Sequence, residues 1–295
     1  MTRLRSVLST FDLTMIAIGG TIGSGIFLTP SLVAANLLSP WLILGVWLLG
    51  GVVTVCGALA FAELGGMMPK AGGMYAYLTE GYGPLTGFLF GWAYLLVVNT
   101  GGIAALSLAF ATYLAYFVPL DAIGIQIAAV TGLAVVTLLN IVGVRAGGIF
   151  ADLFTILKLV GIAILVVAGL GWGVRNPLEV TGEPELAAGD FAGALAAAMV
   201  GVLWSFGGWQ HASFATAEAK DPARSIPKAM ITGAAVVTAV YLLSNLAYLS
   251  LLSPAGMGGS DRVAADAMEQ AIGPAGGMLI ALFIFLSTFG STGIY

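Results

Sequence analysis

Four long stretches of this chain carry no charged residue: Leu13 to Ala62, Gly81 to Leu120, Phe191 to Ala217 and Ala229 to Ser260. Each exceeds the roughly 20 residues that a helix needs to cross a bilayer. None alternates apolar and polar positions in the ~10-residue pieces of an outer-membrane barrel strand, so the runs predict helices. Divided at proline, glycine and charge clusters, the chain predicts eight spans near 11–35, 40–64, 86–117, 123–142, 148–172, 191–218, 229–252 and 274–295. The loop GGMMPKAGGMYAYLTEGYGP, between the second and third spans, predicts a short interfacial helix around Tyr75 and Tyr77. A longer polar loop, Gly173 to Asp190, follows the fifth span.

Composition removes the alternative of a large soluble core. Hydrophobic residues make up 59% of the 295 positions and charged residues 8%, with a mean hydropathy of +1.03. Soluble domains carry roughly 25% charged residues, and these long uncharged windows leave no charged skin. Basic residues sort by loop: with the N-terminus inside, Arg3, Arg5, Lys70, Arg145, Lys220, Arg224 and Lys228 fall on the cytoplasmic side, and Arg175 and Arg262 outside. That asymmetry predicts a multi-pass protein of the cell membrane with a cytoplasmic N-terminus. Glu179, Glu183, Glu185 and Asp190 then face outward. Cys56, the one cysteine, precludes a disulfide within the chain, and the net charge of −4, sorted between loops, points to no nucleic acid partner.

Two spans are interrupted where the membrane is deepest. The first carries GGTIGSGIF, residues 19–27, with four glycines beside Thr21 and Ser24; the sixth carries WSFGGWQHASFATAEAKDP, residues 204–222. Each glycine weakens a helix by about 1 kcal/mol relative to alanine, so unwinding is natural there, although Gly19 and Gly23 also fit a GxxxG packing face. Five spans separate the two interruptions, an odd number, so the second half enters the membrane inverted. Paired breaks in inverted halves are the sequence mark of a transporter's midplane site. An unwound turn exposes N–H groups at the start of one half-helix and C=O groups at the end of the other. A zwitterion fits both: a carboxylate on the amides of Gly23, Ser24 and Gly25, an ammonium on carbonyls near Thr21, Trp204 and Gly207.

GTIGSGIF, PKAGGMYAYL, NIVGVRAGG, EAKDPARSIPKAM and VAADAMEQAIG, in this order along the whole chain, resemble segments of the amino acid, polyamine and organocation superfamily of permeases. The resemblance implies an all-α integral membrane protein of the LeuT-type five-plus-five inverted-repeat fold. Residues 1–172 would form the first repeat, with its break near 21–25, and 173–190 an extracellular loop. Residues 191–295 would begin the second repeat, with a break near 205–209. Tyr295 falls inside the eighth apolar run, so helices nine and ten of such a repeat are expected to be missing from these residues, as in a fragment or a truncated gene product. The implied function is secondary transport of amino acids by alternating access, sodium-independent, by proton-coupled symport or exchange. A channel or an amino-acid-sensing receptor on the same helices is the alternative.

By the same resemblance, Thr21, Ile22, Gly23, Ser24 and Gly25 match the carboxylate-binding break, Trp204, Phe206, Gly207 and Gly208 its partner, and Asn99 the third-helix border of the substrate. Trp209 is a candidate aromatic gate and Glu218 a candidate inner lock, with packing and solvation as their alternatives. His211, the single histidine, sits just past the second break, where proton coupling and a structural role are both open. Lys158 lies about 15 Å into the fifth span, near the middle of a ~30 Å hydrocarbon core, where an ammonium is functional by default, with snorkelling or a structural contact with Asp152 as the alternative. The resemblance places it where sodium-dependent relatives hold an ion, so it is expected to bond carbonyls near Gly20 and hydroxyls of Ser287 or Ser291. The expected partners are an amino acid substrate, the lipid bilayer and protons. No P-loop and no intramembrane His, Asp, Glu or Cys cluster suggests an enzyme, a metal or a cofactor.

Overall fold

The computed structural model describes residues 7–68, 72–142, 144–172 and 188–293, with side chains left undescribed at 140, 142, 144–152, 172, 188 and 189. Arg3, Arg5, Lys70, Arg175, Glu179, Glu183 and Glu185, together with the side chains of Arg145 and Asp152, lie outside the described residues. The first span comprises α1 (Thr10–Thr21) and α2 (Gly25–Leu37), bent by 42° at residues 22–24. Ser9 starts α1 through a capping box in which its backbone N–H donates to Asp12 Oδ2 at 2.7 Å.

The second span is α3 (Pro40–Met67), and the interfacial helix expected around Tyr75 and Tyr77 is α4 (Gly73–Tyr82). The third span runs as α5 (Pro84–Ala93), a π-helical segment Tyr94–Asn99, and α6 (Thr100–Leu114). Then follow α7 (Ala122–Val142) and α8 (Val144–Trp172). The sixth expected span is α9 (Ala188–Ser205), a turn, one helical turn α10 (His211–Phe214) and a 3₁₀ turn Thr216–Glu218. The seventh and eighth are α11 (Pro222–Leu251) and α14 (Pro274–Thr292). Between them lie α12 (Pro254–Gly258) and α13 (Val263–Ile272), helices that the apolar pattern did not announce. Proline occupies the first turn of α3, α5, α11, α12 and α14, where its missing N–H costs no hydrogen bond.

Six of these helices are long and apolar enough to cross a membrane, and the bent pair makes a seventh. The sixth, expected to break near 205–209, has its long helix end at Ser205. Its apolar helical part, Asp190–Ser205, reaches only about 24 Å before the broken segment begins. Among the described residues the only β pairing is an isolated parallel bridge, Leu8 with Ala219. There Val7 and Leu8 N–H both donate to the Glu218 carbonyl at 2.9 Å, and Lys220 N–H donates to Leu8 O at 3.0 Å.

Small residues let the helices approach. A Cβ on Gly51 of α3 would run into Thr238 of α11, and one on Gly290 of α14 into Phe154 of α8. Polar side chains at depth bond back to their own helix, as Thr21 Oγ1 does to Ala17 O at 2.7 Å and Thr54 Oγ1 to Gly50 O at 2.8 Å. The core is aromatic where α3, α9 and α11 meet. Trp47 stands edge-on to Tyr241 at 5.5 Å, and Phe206 lies 4.9 Å from the same ring. The outer face of α7 presents Ile127 and Val130, 62% and 68% exposed, a surface suited to lipid rather than water.

Candidate functional site

At the first break, α1 ends at Thr21 and the chain turns through Ile22 with φ −77° and ψ 86°. Gly23 N–H donates back to Thr21 O at 2.9 Å. α2 then begins at Gly25, so the N–H groups around Ser24 and Gly25 have no intrahelical acceptor. A Cβ on Gly25 would lie 2.8 Å from Cα of Ser205, which shows how closely the outer half-helices α2 and α9 are apposed. Thr29 Oγ1 and Ser205 Oγ, 2.6 Å apart, join the same two elements.

The second break begins after Ser205. Gly207 N–H donates to Trp204 O at 3.1 Å, Gly208 takes φ +123°, and Gly208 N–H donates to the Gln210 side-chain carbonyl at 2.9 Å. Gly208 serves two needs at once: the positive φ, and contact with the first break, because a Cβ there would fall on the Gly20 carbonyl. The Tyr241 hydroxyl, donated from α11, faces the carbonyls that both half-helices expose, Thr21 O at 3.0 Å and Ser205 O at 2.9 Å.

Between the breaks lies a cavity of 170 Å³. Its walls are Gly20, Thr21, Gly23, Ser24 and Gly25 from the first break, Trp204, Ser205, Gly207, Gly208, Gln210 and His211 from the second, and Tyr94, Val98, Gly102 and Leu106 from the third span. Among the described residues, no Lys, Arg, Asp or Glu lines it. Its chemistry is that of backbone donors and acceptors with the hydroxyl-bearing Thr21, Ser24, Tyr94 and Ser205, one amide and one imidazole within an otherwise apolar wall, a composition suited to a small zwitterion.

Lys158, fully buried, reaches the first break from behind. Its ammonium donates to Gly19 O at 3.1 Å, Ile22 O at 2.7 Å and Ser291 Oγ of α14 at 2.7 Å. Three oxygens from two elements thus surround one nitrogen, which meets the demand of an intramembrane charge for polar partners. Ser287 Oγ is buried without a hydrogen-bond partner and is not among them.

Of the residues that the sequence singled out, Thr21, Gly23, Ser24, Gly25, Trp204, Gly207 and Gly208 line the cavity. Ile22 contributes its carbonyl to Lys158 while its side chain packs in the core. Asn99 is not in the wall. Tyr94, Val98, Gly102 and Leu106, spaced by four, form the stripe that is, and Asn99 falls one residue off it. Phe206 is buried against Trp47 and Tyr241. Trp209 stacks edge-on with Phe61 at 5.1 Å and abuts Gly57, so its ring belongs to the packing with α3. At Glu218 the backbone carbonyl is what engages a neighbour, through Val7 and Leu8. Tyr241, whose only signal is a tyrosine within an apolar span, and the helical stripe of the third span carry no mark in the sequence that singles them out.

A family model described as amino acid permease matches residues 8–293. The chain is 32% identical over 280 residues to the b(0,+)-type amino acid transporter 1 of Mus musculus, covering 94% of this chain and 57% of that protein. It is 36% identical over 286 residues to the serine/threonine exchanger SteT of Bacillus subtilis, covering 95% and 63%. With the large neutral amino acids transporter small subunit 2 of Homo sapiens it shares 33% identity over 290 residues, covering 93% and 52%. The chain therefore spans somewhat over half the length of these relatives.

Proposed function

The chain belongs to the amino acid permease family, and from that premise we propose that the full-length protein carries neutral amino acids across the cell membrane by alternating access, without sodium. The observation that carries this reading is the cavity between two broken helices, whose walls hold free backbone donors and no charged side chain. The amides at Ser24 and Gly25 take the substrate carboxylate, and the carbonyl ends of α1 and α9 take its ammonium. Val98, Gly102 and Leu106 bound the space left for the side chain. A relative that is a serine/threonine exchanger supports exchange as the mode of transport.

Lys158 is the reason for expecting sodium independence. Its ammonium fills a set of oxygens at the back of the first break, supplying there the positive charge that a bound cation would otherwise supply. Residues 1–172 and 191–295 act as inverted halves whose breaks meet at the substrate. The N-terminus faces the cytoplasm, since Lys220, Arg224 and Lys228 cluster at the end of the bundle that holds Leu8, and Arg262 lies at the other.

Counterflow tests the proposal. Liposomes containing the full-length protein and loaded with one unlabelled amino acid are expected to accumulate the same labelled amino acid transiently, equally with sodium or choline outside. A panel of the common amino acids with a pH gradient then separates exchange from proton symport. Accumulation that requires sodium would overturn the role given to Lys158. Labelled solute that only equilibrates, with no overshoot, would return the helices to a channel or sensor.

A further inference from the structure

α11, 30 residues long, spans about 45 Å and overreaches a ~30 Å hydrocarbon core by about 15 Å, so both of its ends stand at headgroup level. One stripe of this helix is turned away from the described bundle. Arg224, Lys228, Ala235, Ala239, Leu242 and Leu246, spaced to share a face, are each exposed or half-exposed, while the rows beside them hold the neighbouring helices. On one side Thr10 Oγ1 of α1 donates to Ser225 Oγ at 3.1 Å, and on the other a Cβ on Gly65 of α3 would meet Ile226.

The two ends of the stripe differ in charge. At the Leu8 end Arg224 and Lys228, one helical turn apart, are exposed, and Lys220, just before the helix, is exposed as well. Glu218 and Asp221, the acids nearest in sequence, precede the first helical turn, and among the described residues no ion pair engages Arg224 or Lys228. At the far end Leu242 and Leu246 join Trp41 and Leu48 of α3 around an apolar concavity, whose wall holds no basic side chain among the described residues. Two exposed apolar side chains stand at the level of the bases. Phe11 follows the Thr10 that bonds Ser225, and Met67 follows Gly66, where a Cβ would lie 3.6 Å from the Ala223 carbonyl oxygen.

We propose that the Leu8 end of α11 is a docking site for an anionic phospholipid, with Arg224 and Lys228 on its phosphate and its acyl chains laid along Ala235 and Ala239. The Arg224 fork, within the first helical turn, meets two phosphate oxygens. Lys228 starts about 9 Å from the helix end, at the edge of the hydrocarbon, and snorkels its ammonium to the same group. Two unpaired positive charges select a lipid of net negative charge over a zwitterionic one, whose own cation would compete for the phosphate. The small side chains above leave a shallow track for a chain, and Phe11 and Met67 border the glycerol level. Lys220, whose N–H donates to Leu8 O, precedes Arg224 by four residues, so the lipid sits beside the corner that ties α1 to the sixth span. The site depends neither on the transport cycle nor on which leaflet meets this end.

The test uses the full-length protein in phosphatidylcholine liposomes, with Thr232→Cys as its only cysteine and a bimane label there. Thr232 is exposed, one turn above Lys228 on the same side. Phosphatidylglycerol and phosphatidylcholine carrying the same 5-doxyl chain serve as quenchers. The glycerol lipid is expected to reach half-quenching at about one fifth of the mole fraction that the choline lipid needs. A label at Leu243→Cys, near the apolar end, is expected to show no such preference. Arg224→Gln with Lys228→Gln should bring the two lipids to parity at residue 232. A second measurement needs no substitution of the bases: about 1 M salt, where the Debye length is about 3 Å, should at least halve the preference in the parent. Equal quenching by both lipids at residue 232 overturns the site. So does an equal preference at residue 243, or one indifferent to both the glutamines and the salt.

Discussion

Gly208 rests against Gly20, so that a Cβ on the one would occupy the carbonyl of the other. At this point the two broken helices meet backbone to backbone, at a residue whose φ of +123° already excludes most side chains. Gly208→Ala is expected to cost about 3 kcal/mol or more from strain and overpacking together. Size-exclusion thermostability in detergent should show a large fall in midpoint, whereas Gly171→Ala, which meets open space, should leave it unchanged.

The glycines of the first break separate into two kinds. A Cβ on Gly23 meets only Leu106 Cδ2, at 3.4 Å, while one on Gly25 strikes the Ser205 backbone. Gly23→Val is thus expected to abolish amino acid binding in a scintillation-proximity assay while keeping a wild-type elution profile. Gly25→Val is expected to lose the fold as well. Wild-type affinity in Gly23→Val would return the motif to helix packing.

Removing the ammonium at Lys158 leaves the carbonyls of Gly19 and Ile22 facing a buried void. Hydrogen bonds to charged groups are each worth about 1.5–3 kcal/mol. Lys158→Ala is expected to lower thermal stability and to reduce exchange at least about tenfold, roughly 1.4 kcal/mol in the barrier. Initial rates in liposomes, with sodium and with choline, check both the loss and the sodium independence of the parent.

Tyr241→Phe keeps the ring between Trp47 and Phe206 and deletes only the hydroxyl shared by the Thr21 and Ser205 carbonyls. A loss of about 1–2 kcal/mol is expected, since two buried acceptors lose a donor. Differential scanning fluorimetry measures it. If the hydroxyl also orients those carbonyls for the substrate ammonium, affinity falls while maximal exchange persists.

Much of this arrangement is legible in the sequence, because membrane physics simplifies the code. Charge-free runs mark the spans, and glycine clusters at depth mark both breaks, since glycine weakens a helix most among residues other than proline. The depth of Lys158 marked it before any partner was visible. What eludes the sequence is direction. Asn99 is polar and central yet sits one residue off the lining stripe of Tyr94, Val98, Gly102 and Leu106. Trp209 and Phe206 flank the second break but turn into the packing. Tyr241 looks like any other aromatic of an apolar helix.

The short pairing of Val7 and Leu8 with Glu218, Ala219 and Lys220 joins the leading end of α1 to the trailing end of the sixth span by three backbone hydrogen bonds. At about 1 kcal/mol net each, they amount to about 3 kcal/mol, or about two decades in an equilibrium constant. If these ends must part for substrate to leave, the resting bias of the whole cycle is weighted by peptide groups far from the ligand, which recognise nothing. Variants that unzip this corner would then alter how often the carrier visits its inward state while leaving its choice of cargo untouched.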